Sequence, residues 1–191
     1  MKHSPFTAIY DANVLYPAPL RDFLMNLALT GIYRARWSTK IHDEWKRNLL
    51  LNRPDLTLEQ VDRTSRRMDA AVPDALVTDY ESLVEGLDLP DKDDRHVLAA
   101  AIKCNASVIV TFNLKDFPET ALDVFDIEPL HPDDFIADLW DLDKAAVLEA
   151  AQRQRMSLKN PPHSVQQYLD RLLQQKLPES VKLLSEFKFL L

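Results

Sequence analysis

Short apolar runs alternate with stretches of helical spacing through residue 131. The runs at residues 6–10 and 106–111 are short and apolar, which is typical of buried strands, and residues 33–37 are predicted to form a further strand. Between them, apolar residues recur every three or four positions, as over residues 19–30 and 38–53, and this spacing predicts helices. Because strands alternate with helices, the pattern favours an α/β fold with a parallel sheet and helices on both faces.

The middle of this region repeats the same alternation less regularly. We expect a helix that opens at Thr57 and a further short strand at residues 75–77. Residues 89–94 then form an acidic helix start, because carboxylates are favourable near a helix N-terminus.

Strand signals end at residue 131. Helical spacing continues over residues 135–142, 144–156, 165–173 and 181–187, with Pro161, Pro162 and Pro178 between the later stretches. The sequence therefore predicts an α/β domain over residues 1–131 and a helical extension over residues 132–191.

The composition is that of an ordinary globular protein, with 46% hydrophobic and 28% charged residues among 191. Gly31 and Gly86 are the only glycines, which excludes the glycine-rich phosphate loops, the dinucleotide fingerprint and the G-x-S-x-G elbow. Because these glycine motifs are missing, kinases, Rossmann dehydrogenases and serine hydrolases are excluded.

The single cysteine, Cys104, excludes an internal disulfide and a cysteine-rich zinc site.

The sequence has no run of 18 apolar residues, and its first residues lead into the first strand without a signal-peptide core. We therefore expect a cytoplasmic protein with no membrane partner.

Charge is unevenly distributed along the chain. The formal net charge is −7, which by itself argues against a polyanionic partner. However, residues 33–67 hold nine Lys and Arg against five Asp and Glu, whereas residues 69–128 hold four against fourteen. A basic stripe thus neighbours an acidic region, and the stripe is either an RNA-binding surface or a solvated helix face. The candidate phosphate-binding residues are Arg95 of the acidic region and, in the basic stripe, Lys46, Arg47, Arg63, Arg66 and Arg67.

Polar residues follow two of the predicted strands. Asp11 ends the first, and Asn113 and Asp116 follow the strand at residues 106–111. In an open parallel sheet, ligands bind beyond the carboxyl ends of the strands, so we expect these side chains to meet there. The acidic helix start adds Asp91, Asp93 or Asp94, and the helix over residues 38–53 adds Glu44, with Asp43 as the competing candidate.

Such a cluster of carboxylates requires a counter-ion, because like charges in close contact repel strongly. A divalent cation would relieve the repulsion. Since all the candidate ligands are oxygen atoms, Mg²⁺ or Mn²⁺ is expected rather than zinc or copper.

Four segments together resemble a known family. They are Tyr-Asp-Ala-Asn-Val-Leu at residues 10–15, Glu44 on its helix, Asp-Arg-His-Val-Leu-Ala-Ala-Ala at residues 94–101, and Val-Thr-Phe-Asn-Leu-Lys-Asp-Phe at residues 110–117. Over about residues 6–130 the chain resembles a PIN domain, the metal-dependent nuclease fold of VapC-type toxin ribonucleases. The resemblance implies that the family's four acidic positions fall on Asp11, Glu44, Asp94 and Asn113.

Asn113 departs from the family pattern because it is not a carboxylate. Either three acids balance the metal charge, or Asp116 or Asp91 helps to bind the ion. The resemblance implies hydrolysis of RNA phosphodiester bonds by a metal-activated water. The partners expected are an RNA substrate, an antitoxin protein and a second copy of the chain.

Two other functions compete with this one. The first is a noncatalytic RNA-binding or scaffolding module built on the same fold. The second is a phosphatase like the haloacid dehalogenases, with Asp11 as the nucleophile. That class has a second aspartate two residues on, where Asn13 stands in this sequence.

Overall fold

A computed structural model describes residues 5–191, and its sheet has four strands. The strands are β1 (Thr7–Tyr10), β2 (Arg34–Arg36), β3 (Val108–Val110) and β4 (Glu128–Leu130). They lie in the order β2-β1-β3-β4, and every neighbouring pair is parallel. The predicted α/β class, with a parallel sheet and a C-terminal helical region, is confirmed.

The helices follow in chain order from the first strand. They are α1 (Ala12–Leu15), α2 (Ala18–Ala28), α3 (Thr39–Asn52), α4 (Leu58–Ala71), α5 (Glu81–Val84), α6 (Arg95–Lys103), α7 (Glu119–Leu122), α8 (Pro132–Leu142), α9 (Lys144–Ser157), α10 (Val165–Gln174) and α11 (Pro178–Ser185). Short 3₁₀ turns occupy Lys92–Asp94, Leu114–Asp116, Asp123–Phe125 and Lys188–Leu190.

β1 and β3 lie at the centre of the sheet and are buried along their whole length. The register pairs Ile9 of β1 with Arg36 of β2 on one side and with Ile109 of β3 on the other. A strand that is buried on both faces exposes no side chain to solvent, which explains the continuous apolar sequences of β1 and β3. Because β1 and β3 are neighbouring parallel strands, the residues that follow them lie side by side.

Local capping sets the predicted helix starts. The Ser38 side chain accepts a hydrogen bond from the Ile41 backbone N–H at 3.2 Å and so caps α3. Thr57 and Gln60 form a reciprocal capping box at the start of α4. Both predicted starts are confirmed.

The sequence prediction differs from the structure at two strands. Residues 75–77 form only an isolated parallel bridge, between Leu76 and Trp37, so the strand predicted there is wrong. β4 was not predicted, because it has three residues and contains Pro129. Proline cannot donate to a sheet ladder and is tolerated at a sheet edge, which is where β4 lies.

The chain divides into two compact units. One contains the described residues up to Tyr16 together with Tyr33–His131, and the other contains Pro17–Ile32 and Pro132–Leu191. The predicted domain boundary between residues 131 and 132 stays a prediction. That prediction assigned α2 to the first domain, whereas α2 lies in the second unit. In the structure α2 packs on α9 and α10, because its buried apolar stripe needs a helical partner.

The second unit is a helical bundle with polar contacts inside it. The Asp133 carboxylate accepts hydrogen bonds from the backbone N–H groups of Glu179 and Ser180, each at 2.8 Å, and so caps α11. Gln154 donates to the Pro19 carbonyl at 2.8 Å and accepts from the Tyr168 hydroxyl at 2.9 Å.

Within residues 5–191, no helix has both the length and the apolar character needed to cross a membrane. The predicted absence of a signal-peptide core rests partly on residues 1–4, which lie outside the described residues.

Candidate functional site

Asp11 directly follows β1 and is buried, with 4% of its surface exposed. Its Oδ1 accepts a hydrogen bond from the Ala12 backbone N–H at 2.6 Å, which caps α1. Its Oδ2 accepts one at 2.7 Å from the hydroxyl of Thr111, which follows β3. The two residues meet because β1 and β3 are neighbours and end at the same edge of the sheet.

Asn13 completes this network. Its Nδ2 donates to Asp11 Oδ2 at 2.5 Å and to Thr111 Oγ1 at 2.9 Å, and its Oδ1 accepts from the Phe112 backbone N–H at 3.0 Å. The amide therefore joins the ends of both central strands and fixes the Asp11 carboxylate. Asn13 and Thr111 were not predicted as site residues, although both lie within the segments, residues 10–15 and 110–117, that carry the family resemblance.

Glu44 reaches the same region from α3 and is held by His96. The two are joined by a hydrogen bond of 2.9 Å between His96 Nε2 and Glu44 Oε1. The His96 side chain is 1% exposed and the Glu44 side chain 19%. The sequence prediction missed this pairing, because the partners are 52 residues apart.

Asp94 has further acids around it. Carboxylate oxygens of Asp91, Asp94 and Asp116 lie within 4.8 Å of one another. Asp116 is held by a hydrogen bond from the Asn113 side-chain amide to its Oδ2. The structure thus brings together both of the acids proposed from the sequence to compensate for Asn113.

Repulsion among these acids appears in their pKa values. Burial raises the pKa of Asp94 to about 7, and the neighbouring carboxylates of Asp11, Asp91, Asp116 and Glu44 contribute to the rise. Burial also raises the pKa of Asp11 to about 6, against the opposing hydrogen bonds from Thr111 and Ala12. The five carboxylates therefore interact, with Asp94 at the centre of the group.

The chemistry of this group fits a hard divalent cation. Every candidate ligand is a carboxylate oxygen, which is the ligand type that Mg²⁺ and Mn²⁺ prefer. A bound cation would also favour the ionised carboxylates of Asp11 and Asp94 against the burial and the neighbouring negative charges that raise their pKa values. The donor set thus matches the metal expected from the sequence.

A cleft of about 680 Å³ opens beside the acids. Asp11, Glu44, Asp93 and Asp94 line one part of it. The remaining side chains are supplied mainly by α3 and by the residue that follows α1; they are Asn13, Tyr16, Lys40, Arg47, Asn48 and Asn52. The cleft therefore places acidic, basic, amide and aromatic groups around one space.

The basic residues predicted to bind RNA occupy different environments. Arg47 is exposed and lines the cleft. The Lys46 ammonium instead lies 3.2 Å from Asp43 and 2.9 Å from Asp62, and these ion pairs raise its pKa above the ordinary value although burial opposes them. Arg95 is half-buried at the start of α6. RNA contacts by these residues stay predictions.

Arg63, Arg66 and Arg67 lie exposed on α4. Arg63 is 3.5 Å from Glu59 one turn earlier, which is a weak surface pair. A role for this exposed face in RNA binding also stays a prediction.

Comparisons with known proteins agree with this geometry. The family model for the PIN domain matches residues 7–115, which is more than half of the chain. The chain belongs to the PIN-domain family. The PIN match contains Asp11, Glu44, Asp94 and Asn113, the four positions that the sequence resemblance assigned.

Two further comparisons add to the PIN match. A family model described as the VapC50 C-terminal domain matches residues 132–186. A protein of Mycobacterium tuberculosis (strain ATCC 25618 / H37Rv) named "Putative ribonuclease VapC50" is 42% identical over 96 residues, which cover 50% of this chain and 56% of that protein. The chain thus spans little more than half of this relative's length. No solved structure matches the chain.

Proposed function

We propose that this PIN-domain protein is an endoribonuclease that hydrolyses RNA phosphodiester bonds with Mg²⁺ or Mn²⁺ as cofactor. The observation that carries the proposal is the convergence of Asp11, Glu44 and Asp94 on one cleft. The raised pKa values of Asp11 and Asp94 support a site built to receive a cation.

Asp11, Glu44 and Asp94 are the proposed metal ligands, and Asp91 and Asp116 supply the further negative charge that Asn113 lacks. When bound, the cation lowers the pKa of a water molecule and offsets negative charge on the reacting phosphate. Asn13 and Thr111 keep the Asp11 oxygens in place through their hydrogen bonds. Arg47 and Arg95 neutralise phosphates on either side of the scissile bond.

The biological setting that we propose is a toxin–antitoxin pair. The name of the Mycobacterium tuberculosis relative supports a ribonuclease, and VapC-type toxins act with an antitoxin. The expected partners are RNA, an antitoxin and a second copy of the chain, and the expected compartment is the cytoplasm.

The environment of Asp11 argues against the phosphatase alternative. The position of the second catalytic aspartate in that class holds Asn13, whose amide is engaged with Asp11 and Phe112. A noncatalytic RNA-binding module remains the competing function.

Incubation of the purified full chain with total RNA and either Mg²⁺ or Mn²⁺ tests the proposal. Cleavage should require the metal, stop with EDTA, and be lost in Asp94→Asn. The matched control is Asp141→Asn, because Asp141 is exposed and lies on α8 in the other unit.

Metal-dependent cleavage by the parent and by Asp141→Asn, but not by Asp94→Asn, would support the ribonuclease. Tight Mn²⁺ and RNA binding without turnover would instead support the noncatalytic module. Equal cleavage by Asp94→Asn and the parent would refute the assignment of the site.

A further inference from the structure

One face of α3 forms the wall of the cleft opposite the strand ends. Lys40, Glu44, Asn48 and Asn52 follow one another at intervals of four residues, and Arg47 lies beside them. Residues four apart share one face of a helix, and twelve residues extend about 18 Å along its axis. This wall is therefore long enough to contact more than the reacting phosphate.

Glu44 lies between two basic residues of this wall, Lys40 and Arg47. It is the one acid among these α3 residues, and it lines the cleft together with Asp11 and Asp94. Lys40 and Arg47 are exposed, and no hydrogen bond or ion pair engages their charged groups within residues 5–191. Such cations on both sides of Glu44 can neutralise the phosphates of a bound strand.

Two neutral amides continue the wall beyond Arg47. Asn48 and Asn52 are both exposed, and Asn52 Nδ2 donates to the Asn48 backbone carbonyl at 2.9 Å. This bond leaves the Asn52 carbonyl oxygen and the Asn48 side-chain amide facing solvent in the cleft. Side-chain amides carry both donors and acceptors, which suits the edge of a nucleobase rather than a phosphate.

An aromatic ring lines the same cleft. Tyr16 directly follows α1, which packs against α3, and its half-buried side chain lines the cleft together with Asn48 and Asn52. The cleft therefore places an aromatic ring and two side-chain amides around one space.

We propose that the part of the cleft lined by Tyr16, Asn48 and Asn52 is a nucleotide subsite that holds one unpaired base of the RNA. This inference rests on the proposed function. Tyr16 stacks on the base, Asn48 and Asn52 contact its edge, and Lys40 and Arg47 hold the adjoining phosphates. The ligand class is single-stranded RNA, because a base that stacks on a side chain must first leave its own helix. The enzyme would then prefer certain bases beside the cleaved bond.

Binding of a fluorescently labelled single-stranded RNA to the Asp94→Asn chain tests the subsite without cleavage. Tyr16→Leu should weaken binding by about fivefold or more, since stacking contributes that much per base. The double variant Asn48→Ala/Asn52→Ala should also weaken binding, because the base edge loses its hydrogen-bonding partners. Tyr16→Phe keeps the ring and should bind like the parent. Gln152→Ala, on an exposed position of α9, is the control for loss of an amide.

The salt dependence separates base contacts from phosphate contacts. The slope of log Kd against log salt should not change in Tyr16→Leu or in the double amide variant. Lys40→Ala should lower the slope by about 0.7, the value for one phosphate contact on a single strand. A strand carrying 4-thiouridine should crosslink, on illumination, to a peptide that contains Tyr16.

Two outcomes would overturn the subsite in different ways. Parent-like affinity of Tyr16→Leu and of the double amide variant, with weaker binding by Lys40→Ala, would leave an RNA-binding cleft without a base subsite. Failure of the Asp94→Asn chain to bind RNA at any salt concentration would instead overturn the proposed function together with the subsite. Thermal unfolding of each variant shows whether it is folded.

Discussion

His96 Nε2 and Glu44 Oε1 are 2.9 Å apart, and the imidazole is almost fully buried. Since a carboxylate only accepts, the imidazole donates its Nε2–H in this bond. The contact fixes one Glu44 oxygen and leaves the other available towards the cleft. His96 is therefore a positioning residue, two positions after Asp94 on the first turn of α6.

Removal of this donor should impair catalysis more than folding. We expect His96→Ala to lower kcat by about 10- to 100-fold, as is usual when a residue that orients a metal ligand is removed. His96→Gln can donate from its amide and should recover part of the activity. Steady-state kinetics and Mn²⁺ titration measure both effects, and equal kcat in the parent and in both folded variants would contradict the positioning role.

Neighbouring acids on α3 should behave differently. Glu44→Gln should lower RNA cleavage by more than about 100-fold, because Glu44 is a proposed metal ligand. Asp43→Asn should leave cleavage nearly unchanged, since its side chain is 62% exposed and paired with Lys46. Adjacent helix positions point about 100° apart, and of these two residues Glu44 is the one that lines the cleft. The reverse result would show that Asp43 is the metal ligand.

The stability of the metal-free protein should depend on the ionisation of Asp94. Its folded-state pKa is about 7 against an ordinary value of 3.8, so between these values the folded chain binds more protons than the unfolded chain. Stability from this group therefore falls as pH rises from about 4 to 7. In EDTA, Asp94→Asn should have a higher Tm than the parent at pH 8 and the same Tm at pH 4.

The control for this prediction is Asp141→Asn, which should have the same Tm as the parent at both pH values because Asp141 is exposed. A Tm advantage of Asp94→Asn that is equal at pH 4 and pH 8 would show that ionisation of Asp94 is not its cause.

A second polar network joins the sheet edge to α3 and α4. Asp69 Oδ1 accepts from Trp37 Nε1 at 2.7 Å and is 2.9 Å from His42 Nε2. Because the Trp45 indole donates to His42 Nδ1 at 2.9 Å, the proton of His42 is on Nε2. Burial lowers the pKa of His42, although Asp69 opposes the shift, so this ring favours the neutral form.

Asp69→Ala should destabilise the fold by about 1–3 kcal/mol, because two donors lose their acceptor. Asp69→Asn keeps one acceptor oxygen and should destabilise it less. Urea unfolding followed by tryptophan fluorescence measures both values. Since the folded pKa of His42 lies below its unfolded value, its contribution to stability declines as pH falls below about 6.5. Equal stability of Asp69→Ala and the parent would remove the network as a stabilising element.

Reversing the charge of Arg63, Arg66 and Arg67 tests the exposed face of α4. If these side chains bind phosphates, the salt slope of RNA binding by Asp94→Asn should fall by about 0.7 for each phosphate that is no longer neutralised. KM should rise while kcat stays nearly constant, because such interactions are equal in ground and transition states. An unchanged slope would leave α4 as a solvated surface or an antitoxin-binding surface.

Local pattern was sufficient for much of the fold. Runs of apolar residues marked β1 and β3, and capping residues marked the starts of α3 and α4, because both signals depend on neighbours within one or two turns. Local pattern did not predict β4, and it predicted a strand at residues 75–77 where the structure has only the isolated bridge at Leu76. In each, pairing with a strand distant in sequence decides the structure, and three residues carry too little pattern.

The sequence by itself determined that Asp11 ends a strand, that Asp94 lies at a helix start and that Glu44 lies on the helix over residues 38–53, and it therefore identified these three acids as candidates. Only the tertiary structure decided which side chains meet: Thr111 with Asp11 across 100 residues, His96 with Glu44 across 52, and Asp116 with Asp91 and Asp94. It also engaged Lys46 with acids rather than leaving it free. The spacing of hydrophobic residues along the sequence determines which face of a helix or strand a residue lies on. Its neighbours from distant parts of the chain depend instead on the order of strands in the sheet and on how the helices pack.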